Sequence, residues 1–412
     1  MATVFSKLKN RGFIESITNE EKIEEIFDKK QEIVCYTGFD PTGDSLHIGH
    51  LIPIIALKHI EDAGYSPIAL LGGGTAMIGD PSGKTEMRKM ITKDTIRKYS
   101  KNMREQIGKF LNVDKGKSKI LNNAEWLEDL NYIDFLREIG SKFSVNRMLS
   151  AEAYKIRLER GLSFIEFNYQ ILQAYDFLTL FRKEGCIMQM GGNDQWGNIL
   201  AGVDLIRRME QQEVNAFTYP LLTTASGKKM GKTEDGAVWL DPDKFSPYKF
   251  FQYFRNVEDE DVFKLLKIFT FLPLGEIEKM KKWKNTKKIN KAKEKLAFEA
   301  TKFVHGKEEA KKALNSSRAV FEGNKKKAKA IPEFEVKEEE VKEEIRLRDL
   351  MADKGITDSK SKAKRLIKQG GVYVNDERIE HFAHSVDKSD FDEEGVLMLR
   401  VGKKKYYKLK LV

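Results

Sequence analysis

From about residue 32 to 74 the sequence contains three segments with different hydrophobic patterns, in an order that few folds can accommodate. EIVCYTGFD is short and apolar, LHIGHLIPIIALKHIEDAG carries apolar residues at helical spacing, and YSPIALLGGGT is apolar before it ends in glycines. Strand, helix and strand in this order predict a βαβ unit with parallel strands. FIEFNYQILQAYDFLTLFRKEG and CIMQMGGNDQWGN continue the alternation. We therefore expect an α/β domain, a parallel sheet wrapped by helices, over residues 1–230.

The remainder of the chain differs in composition, which predicts further domains. At about 150 residues per domain, the 412 residues correspond to two to four folded units. Residues 231–322 are rich in Lys, Glu and Ala and predict an all-α domain. Residues 323–345 are acidic and low in complexity, which predicts a linker, and residues 346–412 predict a small α+β domain.

The charge of the chain is concentrated in two basic blocks. The formal net charge is +10, yet residues 281–330 alone hold 17 basic and five acidic side chains. Residues 346–412 hold 16 basic and 11 acidic side chains. A single basic run is usually a solvated helix face, but two such blocks indicate a polyanionic partner, with nucleic acid first among the candidates.

The cysteine count and the hydropathy pattern indicate the compartment. Cys35 and Cys186 lie 151 positions apart, which excludes a disulfide framework and the paired spacing of a structural zinc site. No apolar run approaches the ~18 residues that span a bilayer, and the N-terminus is too polar for a signal peptide. We expect a cytoplasmic protein without a membrane segment.

Two histidines mark the first candidate site. His47 and His50 lie one helical turn apart at the start of a helix that follows a strand and a Gly/Pro/Asp loop. A helix N-terminus favours anions, and two imidazole donors beside it would strengthen binding of a triphosphate. Gly49 leaves room for a nucleotide to approach the backbone. The alternative is an ordinary capped helix with partly buried histidines.

The segment GKKMGKT, residues 227–233, is the second candidate. Its lysines, among them Lys229 and Lys232, could close over developing phosphate charge, although the Walker spacing is absent. Taken alone, such a segment is more often a plain surface loop.

HIGH at 47–50 and KMGKT at 229–233 resemble the HIGH and KMSKS signatures of class I aminoacyl-tRNA synthetases. Together with YTGFDPTGDSLHIGHL, GDPSGKTEMR, NYQILQAYDF and GGNDQWGN, they are similar to bacterial-type tyrosyl-tRNA synthetases over nearly the whole chain. Gly231 and Thr233 stand where the general signature has Ser, a change that the resembled family tolerates. The resemblance implies a Rossmann-like catalytic domain, a helical tRNA domain that starts with the KMGKT loop, a C-terminal RNA-binding domain and a homodimer.

The resemblance also implies roles for individual residues. Tyr36 and Asp176 would meet the phenol hydroxyl of tyrosine, and Asp80, Tyr169 and Gln173 would surround its ammonium group. Helical spacing independently places Tyr169, Gln173 and Asp176 on one face. The resemblance assigns tyrosine contact also to Gln195, ATP binding to Gly38, Asp40, Thr42, His47, Gly49, His50, Gly192, Asp194 and Lys232, and catalysis to His47, His50, Lys229, Lys232, Thr233, Lys84 and Arg88.

The implied reaction has two steps. The carboxylate of L-tyrosine attacks the α-phosphorus of ATP and pyrophosphate leaves; the terminal hydroxyl of tRNA(Tyr) then attacks the tyrosyl-adenylate and AMP leaves. We expect Mg²⁺ to arrive with ATP, because no carboxylate cluster has the spacing of a metal cage. The alternatives are a tryptophanyl relative, a small nucleotidyltransferase, or a non-catalytic RNA-binding protein built on the same scaffold.

The C-terminal stretch DSKSKAKRLIKQGGVYVNDERI resembles a small RNA-binding domain shared with a ribosomal small-subunit protein. A basic helix followed by a Gly-Gly turn and a strand suits a reader of RNA shape and phosphates. The candidate RNA-binding residues are Lys360, Lys362, Lys364, Arg365 and Lys368.

Overall fold

The computed structural model divides into two compact units. The first consists of Met1–Phe245 and Tyr253–Gly306, and the second of Ser246–Gln252 and Lys307–Val412. The stretch predicted as one helical domain therefore contributes residues to both units. The described residues are 3–29, 32–82, 91–114, 116–150, 154–155, 158–159, 161–225, 227, 230–233, 236–321, 331–342, 344–402 and 405–412. Within these residues no helix is long and apolar enough to cross a membrane.

A five-stranded parallel sheet lies at the centre of the first unit. Its strands are β1 (Val34–Phe39), β2 (Ser66–Leu71), β3 (Lys119–Asn122), β4 (Cys186–Gly192) and β5 (Asn215–Tyr219). They pair in the order β3, β2, β1, β4, β5, with every pairing parallel. This order confirms the predicted Rossmann-like α/β fold. Because the chain runs outward from β1 to β3 and then returns to β4 on the other side of β1, the carboxyl ends of β1 and β4 form the ligand-binding crevice typical of such sheets.

Helices connect and cover these strands. Local sequence explains the ends of the long helix Phe164–Glu184: Ser163 and Glu166 form a capping box, and Gly185 ends it with φ at 64°. In chain order the helices are α1 (Val4–Arg11), α2 (Glu20–Lys29), α3 (Ile48–Asp62), α4 (Lys93–Ile107), α5 (Ala124–Leu127), α6 (Tyr132–Glu138), α7 (Val145–Leu149), α8 (Phe164–Glu184), α9 (Trp196–Glu210), α10 (Pro247–Arg255), α11 (Val262–Phe269), α12 (Leu274–Met280) and α13 (Ile289–His305).

A short hairpin lies between β5 and α10. It consists of β6 (Lys232–Thr233) and β7 (Gly236–Ala237), which pair antiparallel. The residues after β7 run beside the start of α3, since Ile48 donates its N–H to the carbonyl of Val238 at 2.9 Å. The hairpin therefore belongs to the same unit as the sheet.

The second unit contains a mixed sheet with its own core. Helices Leu347–Asp353 and Lys360–Lys368 supply Leu347, Leu350 and Ile367 to that core, and the strands supply apolar residues at alternate positions. Its elements are α14 (Lys307–Phe321), β8 (Glu333–Val336), β9 (Ile345–Arg346), α15 (Leu347–Asp353), α16 (Lys360–Lys368), β10 (Val372–Val374), β11 (Glu377–Arg378), β12 (Ser385–Val386), β13 (Val396–Val401) and β14 (Lys405–Leu411).

The acidic stretch predicted as a linker is partly folded. Strand β8 pairs parallel with β14 at the edge of the sheet ordered β11, β10, β13, β14, β8. Val336 and Val341 are fully buried in the core of the second unit. The predicted linker therefore includes residues that fold with the second unit: β8 extends its sheet, and Val336 and Val341 are buried in its core.

Candidate active site

A cavity of about 620 Å³ opens at the carboxyl ends of β1 and β4. Predicted residues from five separate segments of the chain line it together, although as many as 159 positions separate the first from the last. The predicted residues that line the cavity are Tyr36, Gly38, Asp40, Thr42, His47, Gly49, His50, Asp80, Tyr169, Gln173, Asp176, Gly192, Asp194 and Gln195.

The remaining predicted catalytic residues are not placed. Lys84, Arg88 and Lys229 lie outside the described residues, and Lys232 and Thr233 are described only as backbone in β6. The described part of this segment does reach the cavity, because Met230 and Gly231 line it, together with Leu222 before the segment and Ala237 after it.

The imidazole rings of His47 and His50 are adjacent at the start of α3, with centroids 4.0 Å apart and ring planes inclined by 34°. His47 is the N-cap: its Nδ1 accepts from the N–H of Gly49 at 3.0 Å, and Nδ1 of His50 accepts from the N–H of His47 at 3.1 Å. Burial lowers the pKa of His47 below its ordinary value, and burial together with the neighbouring His47 lowers the pKa of His50 further. Both rings are therefore neutral near pH 7, with the Nε2–H of each available as a donor.

Gly49 and Gly38 show why side chains are absent at two positions. A Cβ on Gly49 would lie 2.8 Å from Cε1 of His47, so only glycine allows the imidazole to cap the helix. At Gly38 a Cβ would meet nothing within 4 Å, so the backbone there faces open space in the cavity. A large ligand can approach β1 closely at that point.

The cavity lining includes a buried carboxylate, Asp176, and a buried hydroxyl, that of Tyr36, without a partner within the described ranges. Asp176 accepts from Nδ2 of Asn123 and from Nε1 of Trp126, each at 2.8 Å, yet burial raises its pKa to about 7. Tyr36 is 1% exposed, and its hydroxyl has no hydrogen-bond partner among the described residues. A buried hydroxyl without a partner costs free energy, so a ligand that bears its own hydroxyl would be favoured here.

A second group of carboxylates, Asp40 and Asp80, also lines the cavity. Tyr169 donates its hydroxyl to Asp40 at 2.8 Å, and Gln195 donates its amide to Asp80 at 2.7 Å. Burial, with the negative charge of Asp40 in addition, raises the pKa of Asp80 to about 6. The buried Oε1 of Gln173 has no partner in the described part of the chain. A cation with N–H donors could donate hydrogen bonds to the Oε1 of Gln173 and to the carboxylate of Asp80.

Sequence reasoning missed the residues that hold these groups in place. Asn123 contacts both Asp176 and Thr75, and Thr75 donates to Asp40 at 3.0 Å. Asn198 donates to the side-chain oxygen of Gln195 at 3.1 Å. Asn123 directly follows β3. Its position at the carboxyl end of a strand was the only feature of the sequence that could have indicated a place in the site.

Gly231, the position that departs from the general signature, is left-handed and closely packed. Its φ is 93°, and a Cβ there would lie 2.6 Å from Cγ2 of Ile48 in the HIGH segment. A serine in this conformation would be strained and would clash. Glycine therefore allows the loop to pack directly on the first residue of α3.

Comparison with known proteins relates this geometry to a family. The family model for class I tRNA synthetases (W and Y) matches residues 28–322, and the tyrosine–tRNA ligase SYY-like C-terminal domain matches residues 323–409. The tyrosine–tRNA ligase of Acetivibrio thermocellus is 52% identical over 412 residues, with all of both chains covered. The chain belongs to the tyrosine–tRNA ligase family.

Other family members agree in sequence and in fold. The tyrosine–tRNA ligase of Caldanaerobacter subterraneus subsp. tengcongensis is 51% identical, with 99% of each chain covered. A C-terminally truncated mitochondrial tyrosyl-tRNA synthetase from Aspergillus nidulans is 30% identical with a TM-score of 0.71, covering 78% of this chain and 95% of that one. These matches confirm the predicted resemblance to tyrosyl-tRNA synthetases and exclude the tryptophanyl alternative.

Proposed function

We propose that this chain ligates L-tyrosine to tRNA(Tyr) in two steps, with the cavity between β1 and β4 as its catalytic centre. The observation that carries the proposal is the buried, unpartnered hydroxyl of Tyr36, which lines the same cavity as Asp176. The phenol hydroxyl of tyrosine can donate to Asp176 and accept from Tyr36. Phenylalanine would leave the buried hydroxyl of Tyr36 without a partner and would offer Asp176 no additional donor, which supports selection for tyrosine.

The ammonium group of the substrate fits the second carboxylate cluster. Asp80 and the free Oε1 of Gln173 accept hydrogen bonds, and Tyr169 is oriented by its bond to Asp40. An incoming ammonium also favours the ionised form of Asp80, whose pKa burial has raised. This arrangement orients the tyrosine carboxylate, which Gln195 contacts, for attack.

ATP is proposed to lie along Gly38 and the start of α3. The Nε2–H groups of His47 and His50 and the N-terminus of α3 donate towards the phosphates, where negative charge develops as pyrophosphate departs. Thr42, Gly192 and Asp194 line the space for the nucleoside. No side chain forms a covalent intermediate, because positioning and charge stabilisation suffice for in-line attack at phosphorus.

The remaining cations of the proposed site belong to the sequence segments GDPSGKTEMR and KMGKT. Lys229, Lys232 and Thr233, together with Lys84 and Arg88, are proposed to hold the pyrophosphate group as it leaves. When Mg²⁺ is bound with ATP it neutralises phosphate charge, since this ion keeps most of its water and binds through phosphates rather than in a protein cage.

The second unit is proposed to bind the tRNA through α16. Its candidate residues differ in their surroundings: the ammonium of Lys360 lies 3.5 Å from a carboxylate oxygen of Asp349, and that of Lys362 lies 2.6 Å from Asp358. Arg365 is exposed. A lysine that is paired with a carboxylate must lose that partner before it can bind a phosphate.

Lys364 and Lys368 instead face an aromatic ring. Their ammonium groups lie 4.7 Å and 5.1 Å from the centroid of Phe382. The face of a phenyl ring is electron-rich and attracts both cations, which offsets their mutual repulsion at i and i+4. Such a pair offers two positive charges one helical turn apart to an RNA backbone.

We propose a homodimer located in the cytoplasm. Large apolar side chains are exposed between residues 132 and 200, with Phe164 70% exposed and Ile133 60% exposed. Exposed aromatic and aliphatic residues of this size are typical of subunit interfaces. The two free, buried cysteines suit a reducing compartment.

Pyrophosphate exchange with each amino acid in turn tests the proposal. Purified full-length protein should exchange labelled pyrophosphate into ATP with tyrosine, and with phenylalanine the kcat/KM should be lower by about 10⁴-fold or more. Exchange with tryptophan but not tyrosine, or none with any amino acid, would contradict it. Binding of tRNA without exchange would favour the non-catalytic alternative.

A further inference from the structure

Asp261 stands at the N-cap of α11 but does not cap that helix. Aspartate at this position ordinarily accepts a hydrogen bond from its own first turn. Here its side chain makes no such bond; Oδ2 accepts instead from the backbone N–H of Ala225 at 3.0 Å. The residue is 5% exposed. A buried carboxylate therefore binds the backbone of Ala225, two positions before the GKKMGKT segment begins at Gly227.

Tyr253 contacts the backbone of Gly231, which lies within the GKKMGKT segment. Its hydroxyl accepts from the backbone N–H of Gly231 at 3.1 Å. The ring packs edge-on against Phe254, and Phe254 in turn packs against Phe269. Phe254 and Phe269 are both fully buried. The hydroxyl therefore projects from a rigid core.

The backbone around Gly231 continues directly to the HIGH segment. The carbonyl of Gly231 accepts from Val238 at 3.0 Å, and the carbonyl of Val238 accepts from Ile48 at 2.9 Å. A fixed position for Gly231 therefore sets where Lys232 begins relative to the start of α3. Neither Tyr253 nor Asp261 lines the cavity.

We propose that Tyr253 and Asp261 are positioning residues that hold the backbone of Gly231 and of Ala225, one on either side of Lys229 of the predicted KMGKT loop, in register with α3 for adenylate formation. The inference rests on the proposed role of this loop in pyrophosphate departure. Groups that are ordered before reaction contribute more to the transition state, because less entropy is lost when charge develops.

Single substitutions in the full-length chain test the inference. Tyr253→Phe and Asp261→Ala should each lower the kcat of tyrosine-dependent pyrophosphate exchange about three- to tenfold, while the KM for tyrosine stays within about twofold. Asp261→Asn keeps an acceptor oxygen and should restore most of the rate. Tyr248→Phe is the matched control, since this tyrosine of α10 hydrogen-bonds Gln252 and should leave the rate unchanged.

Three outcomes would overturn the inference. Rates equal to the unmodified chain in both variants would show that the two bonds do not position the loop. A fall in kcat accompanied by an equal rise in the KM for tyrosine and a lower Tm would indicate a structural role only. Absence of exchange in the unmodified chain would overturn the proposed function itself, and this inference with it.

Discussion

Nδ1 of His50 accepts a hydrogen bond from the backbone N–H of His47, so the proton of each imidazole lies on Nε2. Burial lowers the pKa of both rings below the ordinary value, which keeps them neutral through the physiological range. They therefore act as neutral donors at the helix N-terminus rather than as imidazolium cations.

Because burial lowers both pKa values below the ordinary value of 6.5, the neutral form predominates in both rings from about pH 6.5 upward, and raising the pH to about 8 changes their charge little. We expect kcat for tyrosine-dependent pyrophosphate exchange to stay level or rise over this interval, as measured at saturating tyrosine and ATP. A decline with an apparent pKa near 6.5 on raising the pH would contradict this prediction, since it would require a protonated histidine.

Replacing Tyr36 by Phe or Asp176 by Asn should weaken selection of tyrosine over phenylalanine, because each change removes a partner of the substrate hydroxyl. The ratio of kcat/KM for the two amino acids in pyrophosphate exchange should fall by about tenfold or more. Tyr219→Phe offers a comparison in the same cavity: the hydroxyl of Tyr219 is already paired with Thr37 at 3.0 Å, and its loss should leave the ratio unchanged. Undiminished selection in the first two variants would refute the assignment.

Lys364 and Lys368 should contribute more to tRNA binding than Lys360 and Lys362, which have carboxylate partners. The double variant Lys364→Ala/Lys368→Ala should bind tRNA(Tyr) more weakly, and the slope of log K against log salt should decrease by about two. The matched double variant Lys360→Ala/Lys362→Ala should change both quantities less. Equal losses of tRNA affinity in the two double variants, measured by filter binding, would show that contact with Phe382 does not make Lys364 and Lys368 the stronger tRNA-binding pair.

Deletion from residue 331 should separate activation from transfer. The cavity is built from residues 36–237, whereas the core of the second unit comes from residues 336–409. We expect pyrophosphate exchange to remain nearly intact and charging of tRNA to fall strongly, more so at higher salt. Full charging by the shortened chain at moderate salt would mean that the C-terminal block is only a solvated surface.

His59 should make folding stability depend on pH. Buried between Phe13 and Phe271, and near the charges of Lys7 and Arg11, it has its pKa lowered to about 3. As pH falls below about 6.5 the unfolded chain takes up a proton that the folded chain refuses until about pH 3, so stability is lost across that window. From pH 7.5 to 5 this group should remove about 2 kcal/mol from the free energy of unfolding. Urea unfolding of His59→Leu should show a correspondingly smaller loss, and an identical loss would exclude the histidine as its source.

The sequence alone determined the local chemistry of this protein. The alternation of apolar runs predicted the parallel sheet, and the helical spacing of Tyr169, Gln173 and Asp176 placed them on one face of α8, because periodicity and helix ends depend on neighbouring residues. The signatures at 47–50 and 229–233 predicted the family and its reaction before any contact was known.

Only the tertiary structure decided which distant groups meet. The pairing of Asn123 and Trp126 with Asp176 spans about fifty positions, the pairing of Asp261 with Ala225 joins a helix start to a loop, and β8 joins a strand more than seventy positions later. No local pattern encodes these contacts. They form because buried hydrogen-bonding groups and open sheet edges must find partners, and the partner available is set by how the whole chain packs.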